Sequence, residues 1–116
     1  MGPLPIRRHF PPLITCESVI SEACFLARRT HGGVAGILDS LDRGVVELRF
    51  TLKEHFGYVS ALVRRYANVP MSLADACLVR MSELLPNCTV LTLDSDFRIY
   101  RRHHRQRIPL LIPPDV

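Results

Sequence analysis

Four acidic residues have the types and positions that could carry out chemistry in this sequence. Asp94 directly follows residues 89–93, an apolar run that predicts a buried strand, and Asp96 lies two residues further on. Asp75 lies in a mostly apolar segment, and Glu22 lies one turn into an amphipathic helical pattern. Magnesium and manganese prefer carboxylate oxygens and retain several waters. These four side chains are therefore candidate ligands of a divalent cation.

Each carboxylate also has a purely structural explanation. Glu22 sits at the edge of an apolar helix stripe, where a charge can simply reach solvent. Ser72 precedes Asp75 by three residues, which is the capping-box pattern of a helix start. Asp94 or Ser95 could cap the helix that follows. From the residues alone, both the metal-binding and the structural interpretations stay open.

A basic cluster lies near the carboxyl end. Fourteen of the fifteen basic residues are arginine, and the net charge is +4. The planar guanidinium suits bidentate contact with phosphate. A polyanionic partner or an acidic protein tail is therefore one interpretation, and a solvated helix end is the other. The cluster contains two histidines and five arginines: His103, His104, Arg98, Arg101, Arg102, Arg105 and Arg107.

Composition restricts the class of protein. The chain has 116 residues, of which 47% are hydrophobic and 22% charged, as in ordinary soluble domains. No run approaches the about 20 apolar residues of a membrane span. The four cysteines form no CxxC pair and have apolar neighbours, which predicts free thiols in a reducing cytoplasm. No secretory signal is visible at the amino terminus.

The elements that must position these residues alternate between strands and helices. Strands are predicted at 11–15, 45–50, 89–93 and 108–112, and helices at 17–29, 34–43, 51–66, 72–85 and 95–102. This alternation predicts one α/β domain over residues 1–116, with a mostly parallel sheet covered by helices on both faces. Ligands of such sheets bind at the carboxyl ends of the strands.

Three segments, in the same order along the chain, resemble PIN-domain ribonucleases, and VapC-type toxins most closely. They are PLITCESVISEACFL at 12–26, YANVPMSLADACLV at 66–79 and VLTLDSDFRIYR at 90–101. The resemblance covers roughly residues 11–112 and implies a PIN-like α/β fold. It also implies a toxin of a type II toxin–antitoxin system, with an RNA substrate, a cognate antitoxin and a homodimeric state.

The resemblance assigns roles to the acidic residues. Glu22 corresponds to the family's helix glutamate, Asp75 to the aspartate of Leu-Ala-Asp-Ala, and Asp94 to that of Thr-x-Asp. These three would be catalytic, and together with Asp96 they would bind Mg²⁺ or Mn²⁺ that activates water against a phosphodiester. The arginines assigned to flanking phosphates are Arg98, Arg101, Arg102 and Arg105.

One departure from the family concerns the amino terminus. The family opens with a central strand that ends in a first catalytic aspartate, and nothing before Pro11 resembles such a strand. We therefore expect a PIN-like domain that lacks this strand. The main hypothesis is a metal-dependent endoribonuclease. The alternatives are an inactive PIN fragment that binds an antitoxin or another PIN subunit, and a plain nucleic-acid-binding module.

Overall fold

The computed structural model describes residues 12–115, and within them the chain is mixed α/β. Four α-helices, six short strands and one 3₁₀ helix are present in this range. The chain divides into two compact units, Met1–Arg49 and Phe50–Val116. The α/β class predicted from the sequence is confirmed. The expectation about a strand before Pro11 lies outside the described residues.

The first unit contains two helices and two strands, and the two strands pair with each other. Strand β1 runs parallel to β2, with Leu13 opposite Val46. Gly32 has a φ of 82° at the start of the second helix, a left-handed conformation that glycine adopts without steric cost. The elements, in chain order, are β1 (Leu13–Thr15), α1 (Glu17–Ala27), α2 (Gly33–Asp42) and β2 (Val46–Leu48).

The second unit packs two helices with two short stretches of strand pairing. Helix α3 contacts α4, the strand β3 pairs parallel with β6, and β4 pairs antiparallel with β5. The elements are α3 (Leu52–Arg65), α4 (Leu73–Leu84), β3 (Val90–Leu91), the 3₁₀ helix η1 (Ser95–Arg98), β4 (Arg101–Arg102), β5 (Gln106–Arg107) and β6 (Leu110–Leu111).

Helix α4 is the most buried element of the second unit. Its sequence is apolar on most faces, which is typical of a helix surrounded by other structure. Val59 and Leu62 of α3 are buried as well, as are Phe97 and Tyr100 further along the chain. The buried residues of α4 are Ala74, Ala76, Cys77, Val79, Met81 and Ser82.

The single, mostly parallel sheet is not found. Residues 12–115 form three two-stranded sheets, of which two are parallel and one is antiparallel. The strand predicted at 89–93 pairs only over Val90–Leu91. Leu91 and Leu93 are 63% and 73% exposed, so this apolar run is not enclosed in the way that a central strand would be.

The helix predicted at 95–102 is wrong beyond Arg98. The chain forms one 3₁₀ turn and then a β-hairpin made of β4 and β5. His103 and His104 have φ values of 50° and 68°, so two consecutive left-handed residues reverse the chain. The basic cluster is therefore mounted on a hairpin, which we call the arginine hairpin (residues 101–107), and not on a helix end.

Two further expectations concern the cysteines and the membrane. Cys16, Cys24, Cys77 and Cys88 form no disulfide with one another, as predicted, and Cys16 and Cys77 are buried. None of the helices described between residues 12 and 115 has the length and apolar character required to cross a bilayer.

Candidate functional site

Asp75 stands at the start of helix α4 and takes part in the predicted capping box. Its backbone N–H donates to Ser72 Oγ at 3.0 Å, and the Ser72 N–H donates to Asp75 Oδ2 at 3.3 Å. This reciprocal pair satisfies two amides that have no partner inside the helix. The structural interpretation of Asp75 is thus confirmed, and it leaves one carboxylate oxygen, Oδ1, outside the box.

Tyr100 supplies the second contact to this carboxylate. Its hydroxyl donates to Asp75 Oδ2 at 3.2 Å, and its side chain is fully buried. The ring is packed edge-on against Tyr66 and Phe97, with both centroid distances at 5.1 Å and interplanar angles of 66° and 82°. Such edge-to-face pairs are favourable for aromatic quadrupoles. The packing therefore fixes the hydroxyl that orients Asp75.

Three of the four predicted acidic residues act on this one hydroxyl. Burial raises the pKa of Tyr100 well above its ordinary value, and the negative charge of Asp75 and the hydrogen bond to it add to that effect. The carboxylates of Asp96 and Asp94 raise the pKa further. Hydrogen bonds show the same proximity: the Tyr100 N–H donates to the Asp96 carbonyl at 3.2 Å, and Asp96 is itself bonded to Asp94.

Asp94 also holds the turn that carries Asp96. Asp94 Oδ1 accepts the Asp96 N–H at 2.9 Å, and the Asp94 N–H donates to Thr92 Oγ1 at 2.9 Å. The capping interpretation of Asp94 is confirmed by the first of these bonds. Across residues 12–115, none of the three aspartates forms an ion pair with an arginine or lysine. Their negative charge is not neutralised by the protein there.

Glu22 lies on α1 in the first unit, with an exposed side chain. The structure brings together Asp75, Asp94 and Asp96 but describes Glu22 in the other unit. Within the described part of the chain, no three histidine, cysteine, aspartate or glutamate side chains are grouped so that they could hold a metal ion. The carboxylates have the right chemistry for Mg²⁺, but they do not form a preorganised ligand set.

Three of the four candidate phosphate-binding arginines, Arg98, Arg101 and Arg102, have structural contacts. The Arg101 guanidinium donates to the carbonyl oxygens of residues 98–100 at 2.7, 3.0 and 3.1 Å, which closes the turn after η1. Arg102 Nη1 donates to the Ser82 carbonyl at 3.1 Å. Arg98 and Arg105 are exposed, although Arg98 Nη2 also reaches the Pro113 carbonyl at 3.5 Å.

A groove lies beside the arginine hairpin, within the second unit. It has a volume of about 450 Å³. Arg65 joins α3 to the hairpin at its edge, donating to His104 Nδ1 at 2.6 Å and to the His104 carbonyl at 2.8 Å. The lining residues are Glu54, Gly57, Tyr58, Ala61, Leu62, Arg65, Glu83 and His104.

Sequence reasoning did not identify Tyr100 or this groove. A lone tyrosine among the arginines at 98–102 was the available signal for Tyr100, since an aromatic ring in a charged segment usually has a packing reason. For the groove, Glu54, Tyr58, Leu62 and Arg65 recur at spacings of three and four, which places them on one face of α3.

Comparison with models of known protein families, with curated proteins and with solved structures found no match to this chain. The PIN-domain assignment thus rests on the three sequence motifs alone.

Proposed function

We propose that this chain is a divalent-metal-dependent endoribonuclease of the PIN-domain, VapC-like class, acting in the cytoplasm as the toxin of a toxin–antitoxin pair. One observation carries the proposal: Asp75, Asp94 and Asp96 all act on the Tyr100 hydroxyl without a basic partner among residues 12–115. Neighbouring carboxylates repel one another unless a cation neutralises them. A bound Mg²⁺ or Mn²⁺ would supply that charge and lower the pKa of its water.

The hydrogen bonds of the aspartates favour a ligand-binding role in addition to capping. Both side-chain bonds to Asp75 fall on Oδ2, from the Ser72 N–H and the Tyr100 hydroxyl. The bond to Asp94 falls on Oδ1. Within the described chain, each of these two carboxylates is thus held through one oxygen, and the other oxygen accepts no hydrogen bond there. Tyr100 acts here as a positioning residue, because its bond sets the orientation of Asp75.

The test is RNA cleavage with conservative variants. Asp75→Asn and Asp94→Asn keep a side-chain carbonyl that can accept the capping bonds, but they remove the negative charge. Each should reduce Mg²⁺-dependent cleavage of single-stranded RNA by at least about 100-fold, since even the loss of groups around a metal's ligands costs about 10- to 100-fold. The family resemblance predicts the same for Glu22→Gln.

The matched control is Asp42→Asn, which removes the same charge from an exposed position at the end of α2. It should leave cleavage unchanged. If the protein cleaves RNA equally well in excess chelator, or if both aspartate variants keep full activity, the ribonuclease proposal is wrong.

A second candidate function, a catalytically inactive PIN-like module that binds an antitoxin or another PIN subunit, is favoured by the surface of the first unit. Helices α1 and α2 bury none of their residues. Phe25 is 62% exposed and Leu26 70% exposed, and Leu38 of α2 is exposed too. Exposed apolar side chains that cluster on neighbouring helices are typical of protein-binding surfaces.

Two phenylalanines of equal exposure provide the test of a homodimer. Phe25 of α1 is 62% exposed and Phe56 of α3 is 63% exposed. If α1 forms the subunit interface, Phe25→Ser should convert a dimer into a monomer in sedimentation velocity, while Phe56→Ser should remain dimeric. A monomeric parent protein, or a dimer that survives Phe25→Ser, would exclude α1 as the interface.

A further inference from the structure

We propose that the groove beside the arginine hairpin binds one unpaired guanine base of single-stranded RNA. Tyr58 would stack on the base, and the Glu54 carboxylate would recognise its Watson–Crick edge. The inference rests on the proposed ribonuclease function for the choice of RNA as the ligand, and it names a base preference for that substrate.

Tyr58 has the exposure and the support of a stacking surface. Its side chain is 59% exposed and lines the groove. The Arg80 guanidinium lies over the Tyr58 ring, 3.5 Å from the centroid, so one face of the ring is already covered. Unpaired bases bind proteins mainly by stacking on aromatic rings of this kind. The face of Tyr58 that Arg80 does not cover can receive a base.

Arg80 is itself held in place. Its side chain is only 14% exposed, and Nη1 forms an ion pair with Glu83 Oε1 at 3.0 Å. Its Nε also donates to His55 Nδ1 at 3.4 Å. A guanidinium fixed from two sides keeps the tyrosine ring in one orientation, which lowers the entropy cost of stacking a ligand on it.

The size of the groove suits a base with its sugar. Its volume is about 450 Å³, within the about 300–1,000 Å³ that is usual for small-ligand sites. Leu62, nearly buried, and Ala61 provide apolar surface beside the tyrosine. An aromatic ring and an apolar wall, bordered by the charged side chains of Glu54, Glu83 and Arg65, suit a flat heteroaromatic ligand that carries hydrogen-bonding groups.

The charges of the groove favour a base over a phosphate. Two carboxylates, Glu54 and Glu83, and one guanidinium, Arg65, line it, and that guanidinium is already bonded to His104, so the net charge of the lining is negative and repels a phosphate group. Both oxygens of Glu83 already accept bonds, Oε1 from Arg80 and Oε2 from the His103 N–H at 2.7 Å. No hydrogen bond or ion pair engages the Glu54 carboxylate among the described residues, so Glu54 is the group that remains for a ligand.

Guanine is the base that fits a carboxylate of this kind. A carboxylate has two acceptor oxygens side by side and no donor. Guanine presents two adjacent N–H donors, N1–H and the N2 amino group, on its Watson–Crick edge, whereas uracil presents a single N–H between two carbonyls. Unpaired bases are read on this edge in RNA–protein complexes.

The phosphates of such an RNA would meet the arginine hairpin. Arg65 holds His104 through two hydrogen bonds, which keeps the hairpin at the edge of the groove. Arg105 follows His104 directly, Arg107 lies two residues further on, and both are exposed. Arginine contacts to the backbone provide affinity without base preference. The acidic groove and the basic hairpin therefore match the neutral base and the charged backbone of a nucleotide.

The experiment measures binding of dye-labelled RNA by fluorescence anisotropy with the full chain in excess chelator, where metal-dependent cleavage does not interfere. The probes are hexauridine, the same hexamer with one central guanosine, and that hexamer with inosine, which lacks the N2 amino group. The guanosine probe should bind about 5- to 100-fold more tightly than hexauridine, the range expected for one bidentate base contact, because uracil also stacks and stacking alone does not separate the two bases. Inosine should lie between them.

Variants separate stacking from base reading. Tyr58→Ala should reduce guanosine binding to the level of hexauridine, and Tyr58→Phe, which keeps the ring, should retain it. Glu54→Gln should remove the preference for guanosine over inosine, while Asp42→Asn, the same charge change at an exposed site of the first unit, should not. Because Glu54 is exposed, its variant tests the proposal even if Tyr58→Ala fails to fold.

Equal affinity of the parent protein for all three probes would overturn the proposal, and so would unchanged guanosine preference in both Tyr58→Ala and Glu54→Gln. The outcome is distinct from that of the ribonuclease test. A chain that prefers guanosine but cleaves no RNA with Mg²⁺ would refute the nuclease alone, and one that cleaves RNA without base preference would refute the guanine site alone.

Discussion

Replacing Tyr100 with phenylalanine removes a single oxygen from the buried part of the second unit. The ring keeps its contacts with Tyr66 and Phe97, so no cavity of any size forms. The change deletes the hydrogen bond from the hydroxyl to Asp75 Oδ2, which is 3.2 Å long. Tyr100→Phe therefore isolates this one bond more cleanly than a change of Asp75, which also caps helix α4.

The expected loss is about 1 to 2 kcal/mol in the free energy of unfolding at neutral pH. A hydrogen bond to a charged group contributes about 1.5 to 3 kcal/mol. Asp75 is half-buried and still accepts the Ser72 N–H, so water and the capping box limit the loss to the lower part of that range.

Unfolding at alkaline pH gives a second, independent measure of how much the Tyr100 hydroxyl contributes to stability. Tyrosine loses its proton near pH 10 in an unfolded chain, and the pKa of Tyr100 is raised in the folded chain by burial and by the neighbouring carboxylates. Below about pH 10 both states keep the proton, and the stabilisation is complete. Above about pH 10 the Tyr100 hydroxyl loses its proton in the unfolded chain before it does so in the folded chain. The free energy of unfolding therefore falls, by at most about 1.4 kcal/mol per pH unit.

Urea unfolding followed by circular dichroism between about pH 7 and pH 11 would measure both the stability loss at neutral pH and its change at alkaline pH. The stability difference between the parent protein and Tyr100→Phe should be constant at neutral pH and should shrink above about pH 10. Tyr58→Phe, a change at an exposed ring, is the matched control and should follow the parent protein throughout. If the parent and Tyr100→Phe curves stay parallel up to pH 11, the account of the Tyr100 site is refuted.

Three further substitutions test the packing around the site by thermal or urea unfolding. Ser72→Ala should cost about 1 kcal/mol because it removes the helix cap, and Ser72→Asn should restore most of the loss; equal stability of both variants would contradict the capping role. Phe97→Ala should cost about 3 to 5 kcal/mol, and the neighbouring exposed Ile99→Ala less than about 0.5 kcal/mol. His103→Val should cost about 1 to 2 kcal/mol, since a β-branched residue resists the left-handed φ of 50°, and His103→Gly should not.

Features encoded by neighbouring residues were predictable from the sequence. Helix α4 follows from an apolar segment of helical length and from Ser72 and Asp75, which lie three residues apart and form their capping box locally. The turn after α2 follows from Gly44, whose φ is 76°. In both cases the residues that predict the feature lie within one turn of the residues that form it.

Features that depend on distant residues were not predictable. The hairpin of Arg101 and Arg107 has no glycine or asparagine at its turn, and only the structure shows that His103 and His104 adopt left-handed conformations there. The aspartates were identifiable because they follow a strand or start a helix. That these aspartates lie beside Tyr100 was not predictable, because it depends on how α4 packs against a segment twenty-five residues further along.

The preference for arginine over lysine has a practical consequence for solution work. Lys53 is the only lysine of the chain, and it is exposed in the first turn of α3, next to Glu54 at the groove. Reagents that acylate amines leave the permanently protonated guanidinium untouched. Such chemistry would label the α-amino group and one side chain, Lys53, and a fluorophore on Lys53 would report ligand entry at the groove without any engineered cysteine.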